Sequence, residues 1–181
     1  MKDTLPYQVI RDFYGIRRAK RTCLLYMRHI DQGLLLLEDL GAKEATKEAW
    51  CLHPIFQLED SFTSLMQGEF PDPRPLLCDP DALVLTMEYR SVANAYLTPD
   101  VHSSRLPRIS PIREVNLMLI ADKVHNWRDA RVYLFPRFPK IDPEPLNWYF
   151  WTWMKVLGVT SEERERLEYI LSEDDRKNPP R

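Results

Sequence analysis

Glycine is scarce, with 5 residues in 181, and no stretch alternates apolar and polar residues long enough to make a strand. The absence of a period-two pattern excludes sheet-built folds and leaves helices. Cysteine is also rare. The 3 thiols, Cys23, Cys51 and Cys78, form no Cys-x-x-Cys pair, and any disulfide would leave one over. That pattern fits reduced thiols in a cytoplasmic setting. Cys51 lies between Trp50 and Leu52, which suits a buried structural thiol better than a nucleophile. The longest apolar run, near residues 34–37, is far too short to span a bilayer. The opening MKDTLPYQVIRD has no apolar stretch of the signal-peptide kind. Net charge is only −2, so no global basic field points to nucleic acid as a partner. No internal repeat is present.

What the chain does have is 44% hydrophobic residues, enough for one domain with a sizeable core. Helical spacing of apolar residues predicts helices near 5–20, 28–40, 43–53, 60–67, 81–97, 112–127, 143–157 and 161–171. Gly41 closes the second as a C-terminal cap, and Asp79 or Asp81 caps the fifth. Prolines 71, 73, 75 and 80 make residues 68–81 a loop. A second loop covers 98–111. The expected architecture is all-α: about seven helices in one domain over residues 1–172, followed by a polar, frayed tail at 173–181.

Four histidines, His29, His53, His102 and His125, are the first chemical candidates. Each alone is more often a hydrogen-bonded structural residue than a ligand. Asp122 changes the balance. It is flanked by Leu119, Ile120 and Val124, and a carboxylate in such a helix wants a cation, an Arg or a cap. His29, His53 and Asp122 come from separate helices and would suit a divalent metal if they met. Their spacing alone is a weak signal. Glu59 and Asp60 read either as an acid–base pair or as the start of a helix. The basic cluster at residues 17–21 reads equally as a phosphate site or a solvated helix end. The tryptophans 148, 151 and 153 have helical spacing and read as core. His102, Arg105 and Arg108 sit in the second loop, which is either a lid over a pocket or an ordinary surface loop.

Two stretches carry a resemblance. YMRHIDQGLLLLEDLGAKEATKEAWCLHPIFQLED resembles the metal-binding half of the HD-type metal-dependent phosphohydrolases, specifically the small RelA/SpoT-type alarmone hydrolases. LMLIADKVHNWRDA resembles that family's Leu-Ala-Asp-Lys/Arg-Leu-His/Tyr-Asn motif, and LNWYFWTWMKVLG the segment after it. The match covers roughly residues 15–170 in order, and its Leu-His-Pro variant is associated with phage-encoded proteins. The resemblance implies an HD-type helical domain. It implies His29, His53 and Asp122 as metal ligands, with Mn²⁺ the expected ion. Glu59 and Asp60 become the acidic pair that handles water and leaving group, and Asn126 and Arg21 contact a nucleotide. The implied substrate is a guanosine alarmone pyrophosphate. The rival expectation is a degenerate domain that binds a nucleotide or a partner protein without turnover, and a homo-oligomer is left open. One departure matters: the aspartate that should follow His53 is Pro54, and the interval to Glu59 is two residues longer than the family's. Lys123 and Arg128 flank Asn126, and they are expected to meet phosphates unless they merely pair with carboxylates such as Asp129 or Glu114.

Overall fold

The computed structural model describes residues 1–96 and 106–180. Eight α-helices and no strand lie among them, as the sequence pattern predicts. Helix α1 (Leu5–Tyr14) starts with Pro6 in its first turn and buries Tyr7, Val9 and Ile10. A proline is harmless there, because first-turn amides have no helical acceptor. Gly15 ends the helix at φ 52°, six residues earlier than the apolar spacing predicts. The basic residues 17–21 therefore form a loop, pinned at its ends by an isolated bridge between Arg18 and Leu25.

Helix α2 (Tyr26–Asp39) turns Ile30, Leu34 and Leu37 inward. Its Gly33 lets it approach α3 (Glu44–Gln57): a Cβ there would fall inside the Trp50 indole. Trp50 is fully buried and its Nε1 donates to the Ile30 carbonyl at 3.1 Å. Helix α3 runs through Pro54 to Gln57, beyond the end expected at 53. Pro54 removes one amide and leaves the Trp50 carbonyl without its usual helical donor.

Helix α4 (Glu59–Met66) is short, and the proline-rich segment after it holds a single 3-10 turn (Arg74–Leu77). Helix α5 (Pro80–Asn94) is capped by the Asp79 carboxylate, which accepts from the amides of Asp81 and Ala82. Helix α6 (Arg113–Asp129) is the hub. It packs against α2, α3, α5, α7 (Glu144–Leu157) and α8 (Ser161–Lys177), and buries residues on every side. A π-helical turn (Ala130–Leu134) continues it. Of the tryptophans in α7, Trp153 is fully buried, Trp148 is partly buried and Trp151 faces solvent. The aromatic run is therefore core on one face only.

Helix α8 departs most from expectation. It extends to Lys177, so residues 173–177 are not a frayed tail. Asp175 explains why. Its carboxylate accepts from Arg28 at 2.7 Å, Arg128 at 2.6 Å and the Tyr133 hydroxyl at 2.8 Å. Gln32 also donates to Asp174 and Asp175. Charge-assisted bonds to three elements fix the last turn. Among the described residues, no helix is long and apolar enough to cross a membrane.

Candidate functional site

Residues three and four apart on a helix share a face, so Asp122, His125, Asn126 and Asp129 form one polar edge of α6. His29 of α2 and His53 of α3 meet that edge, and all of them line one cavity of about 580 Å³. His29 stands at its centre. Its Nε2 is 3.7 Å from Asp122 Oδ1, and its Nδ1 is 3.2 Å from Nδ1 of His125. The His29 ring is 5.5 Å from the His53 ring, centroid to centroid. His125 in turn places Nε2 3.8 Å from Asp129 Oδ2.

Burial sets the protonation states. It pushes His29 down to about 4, with His125 adding to the effect. It pushes His53 down to about 3, with His29 adding. His125 falls to about 4, again by burial and then by the nearby Arg28 charge. All three rings are therefore neutral at neutral pH. Asp122 behaves oppositely. Burial pushes its carboxyl up, but Lys123 and His29 together outweigh that and hold it at about 2. Tyr89, fully buried beside the cluster, stays a neutral phenol because of burial and the Asp122 charge.

The donor set suits a divalent cation in its chemistry. A metal takes neutral imidazole and ionised carboxylate, and both are present. One contact fixes the His53 tautomer. Its Nδ1 donates to the Trp50 carbonyl at 2.6 Å, the carbonyl that Pro54 leaves free. The proton on Nδ1 leaves Nε2 with a lone pair, as ligating histidines require. Two features oppose metal binding. Lys123 Nζ is 2.7 Å from Asp122 Oδ2, and Asn126 donates to Oδ1 at 2.7 Å. Among the described residues, no group of three or more His, Cys, Asp or Glu side chains stands ready to hold an ion. Each carboxylate oxygen has a second lone pair, so the two contacts occupy Asp122 without exhausting it.

Arg21 and Asn126 line the same cavity. The other candidates do not serve it as the sequence suggested. Glu59 and Asp60 are exposed residues in the first turn of α4, where negative charge is favourable. Neither lines the cavity, and Glu59 pairs with Arg90. Arg128 is buried on the α8 side, bonded to Asp175 and Ser172, and it too is absent from the cavity wall. Lys123 reaches the wall, but its ammonium is committed to Asp122 and lies over the Tyr149 and Trp153 rings. Pro54 itself lines the cavity. His102 and Arg105 lie outside the described residues, and Arg108 is exposed.

No protein-family model, curated protein or solved structure matches the chain. The site must be read from its own residues. Sequence reasoning named His125 as a chemical candidate and Asp129 as a pairing carboxylate, but assigned neither to the site. The signal was their spacing, three and seven residues after Asp122, on a face that only a buried helix turns inward. Arg17 of the basic cluster also lines the cavity, its guanidinium 4.6 Å from the Phe13 ring centre, and so do Tyr14 and Tyr26, stacked at 5.0 Å, which sequence reasoning did not single out.

Proposed function

We propose that this chain is an HD-like, divalent-metal-dependent phosphohydrolase whose substrate is a nucleotide carrying several phosphates, with a guanosine alarmone pyrophosphate as the best single candidate. One observation carries the reading: two neutral imidazoles from α2 and α3 and an ionised carboxylate from α6 share the wall of one open cavity. His29, His53 and Asp122 would hold the metal. When bound, such an ion supplies a water of lowered pKa and polarises a phosphate. Around it, Asn126 fixes the Asp122 carboxylate, and Arg17 and Arg21 at the mouth offer positive charge to phosphate oxygens. The stacked tyrosines and Phe13 give a planar base apolar surface.

A second reading, capture of the nucleotide without turnover, is favoured by a specific observation. The two acidic residues assigned to proton transfer, Glu59 and Asp60, stand outside the cavity, and Pro54 stands where the resemblance expects a further metal-binding aspartate. Metal analysis of protein purified without chelator, followed by a nucleotide panel scored for binding and for phosphate release, separates the two. Turnover with Mn²⁺ that disappears in Asp122→Ala supports the hydrolase. Binding without release supports capture. No binding at millimolar nucleotide removes both readings.

A further inference from the structure

The C-terminal turn of α8 is attached by polar contacts alone. Leu167 and Leu171 are the buried residues of the helix, so residues 172–177 place no apolar side chain in the core. One carboxylate carries most of the attachment. Asp175 Oδ1 accepts from Arg28 at 2.7 Å and Gln32 at 2.9 Å, and Oδ2 from Arg128 at 2.6 Å and Tyr133 at 2.8 Å. Asp174 and Ser172 add single bonds, from Gln32 at 2.8 Å and Arg128 at 3.3 Å.

Arg28 is what this turn covers. Its guanidinium bridges Asp129 of α6 and Asp175 of α8. It lines the candidate cavity on one side. On the other it lines a second hollow of about 850 Å³ over the outer face of α2. Leu25 and Arg28 are common to both walls. Asp174 and Lys177 of the same turn also line the second hollow. Asp175, Arg28, Asp129 and His125 thus form one chain of contacts from the turn to the wall of the candidate cavity, closed by the 3.8 Å approach of His125 Nε2 to Asp129. A polar attachment of this kind opens more readily than an apolar one. The bonds given up are replaced by bonds to water, and the turn has no apolar surface to rehydrate. Arg28 Nε and Arg128 Nη1 are buried without a hydrogen-bond acceptor in the closed state, and water would satisfy both.

We infer that the last turn of α8 is a releasable clasp, closed by Asp175 on Arg28, and that its release opens a second entrance to the candidate cavity from the α2 side. The inference needs no bound cation and stands apart from both the hydrolase and the capture readings. It gives the C-terminal turn of α8 a hold over access to the histidine cluster.

Native-state hydrogen exchange of the full chain tests the clasp. In wild type, the amides of residues 174–177 are expected to exchange through a local opening, at rates that low urea leaves unchanged, while those near Leu167 wait for global unfolding. Exchange of both segments by global unfolding alone would overturn the inference. Asp175→Asn removes the charge at nearly constant shape. It is expected to speed exchange at residues 174–177 at least about tenfold. Glu173→Gln, in the same turn but paired with the exposed Arg176, is expected to change it less than about twofold. Equal effects of the two substitutions would reduce the clasp to ordinary helix-end charge and overturn it. Carbethoxylation by diethyl pyrocarbonate, read by mass spectrometry, tests the entrance. His125 and His53 are both almost wholly buried. His125 adjoins Asp129, whereas His53 packs among Trp50, His29 and Tyr89. In Asp175→Asn, His125 is expected to react at least about fivefold faster while His53 keeps its rate. Faster exchange at the turn with His125 unchanged would make it a fraying end that guards nothing, which sinks the inference. Equal acceleration of both histidines would mean general loosening, and that sinks it too.

Discussion

Gly33→Ala sets two physical effects of opposite sign against each other. Gly33 lies in the interior of α2, where alanine is better than glycine by about 1 kcal/mol on helix propensity. Propensity alone therefore predicts stabilisation. The tertiary structure predicts the reverse. A Cβ at residue 33 would meet three atoms of the Trp50 indole, and Trp50 is fully buried. Overpacking of that kind costs about 1–3 kcal/mol. Displacing the ring also strains or breaks the Nε1 bond to the Ile30 carbonyl, and a buried donor left unmatched costs a further 1–3 kcal/mol or so. After the propensity gain is subtracted, net destabilisation is expected at roughly 1–5 kcal/mol. The effect extends to the site, because the Trp50 ring lies against both His29 and His53, and its carbonyl holds His53. Urea unfolding followed by tryptophan fluorescence measures the loss, read from the midpoint at constant slope. The double variant Gly33→Ala with Trp50→Leu supplies the coupling: leucine makes room for the methyl, so the second substitution should cost less in the alanine background than in the wild type. A Gly33→Ala protein as stable as wild type, or more so, would show that α2 and α3 do not meet as described.

Arg128→Ala breaks a partly buried pair with Asp175, which keeps Arg28 and Tyr133. The loss is expected at about 2–3 kcal/mol in urea unfolding, below the usual cost of stripping a buried charge of all its partners, with nucleotide affinity of the folded protein changed less than about twofold; a large affinity loss at unchanged stability would return Arg128 to the ligand. Without metal, stability should fall as pH drops. His29 and His125 at about 4 and His53 at about 3 lie below the ordinary value, so between about pH 6.5 and 4 the unfolded chain takes up protons that the folded chain refuses. The slope is up to about 1.4 kcal/mol per pH unit for each histidine. Asp122 and Asp175, both held at about 2, act only below the ordinary carboxyl range, and a urea midpoint that stays flat from pH 7 to about pH 5 would contradict the buried neutral histidines. Pro54→Asp should bind Mn²⁺ at least about tenfold more tightly than Pro54→Ala; comparing these two cancels the amide that both restore to α3, and equal affinity by calorimetry would mean that residue 54 does not reach the ion.

The all-helical class was legible in the sequence because burial imposes a 3.6-residue period on amphipathic helices, and that period needs no knowledge of partners. His29, His53 and Asp122 were legible as a set through a motif resemblance and through the oddity of an aspartate among Leu119, Ile120 and Val124. Their roles were not. A charge on a helix has the same letter whether it faces substrate, solvent or another charge. Only packing put Arg128 on Asp175, left Glu59 on Arg90 and laid Lys123 over the Trp153 ring. The last turn of α8 looked like a frayed tail because its residues are polar. It is ordered by arginines 28 and 128, far away in the chain, and no local window contains them. His125 shows the division most clearly. Sequence supplied a histidine three residues after Asp122. Only the tertiary structure set His29 against one side of its ring, because His29 comes from another helix 96 positions away in the chain.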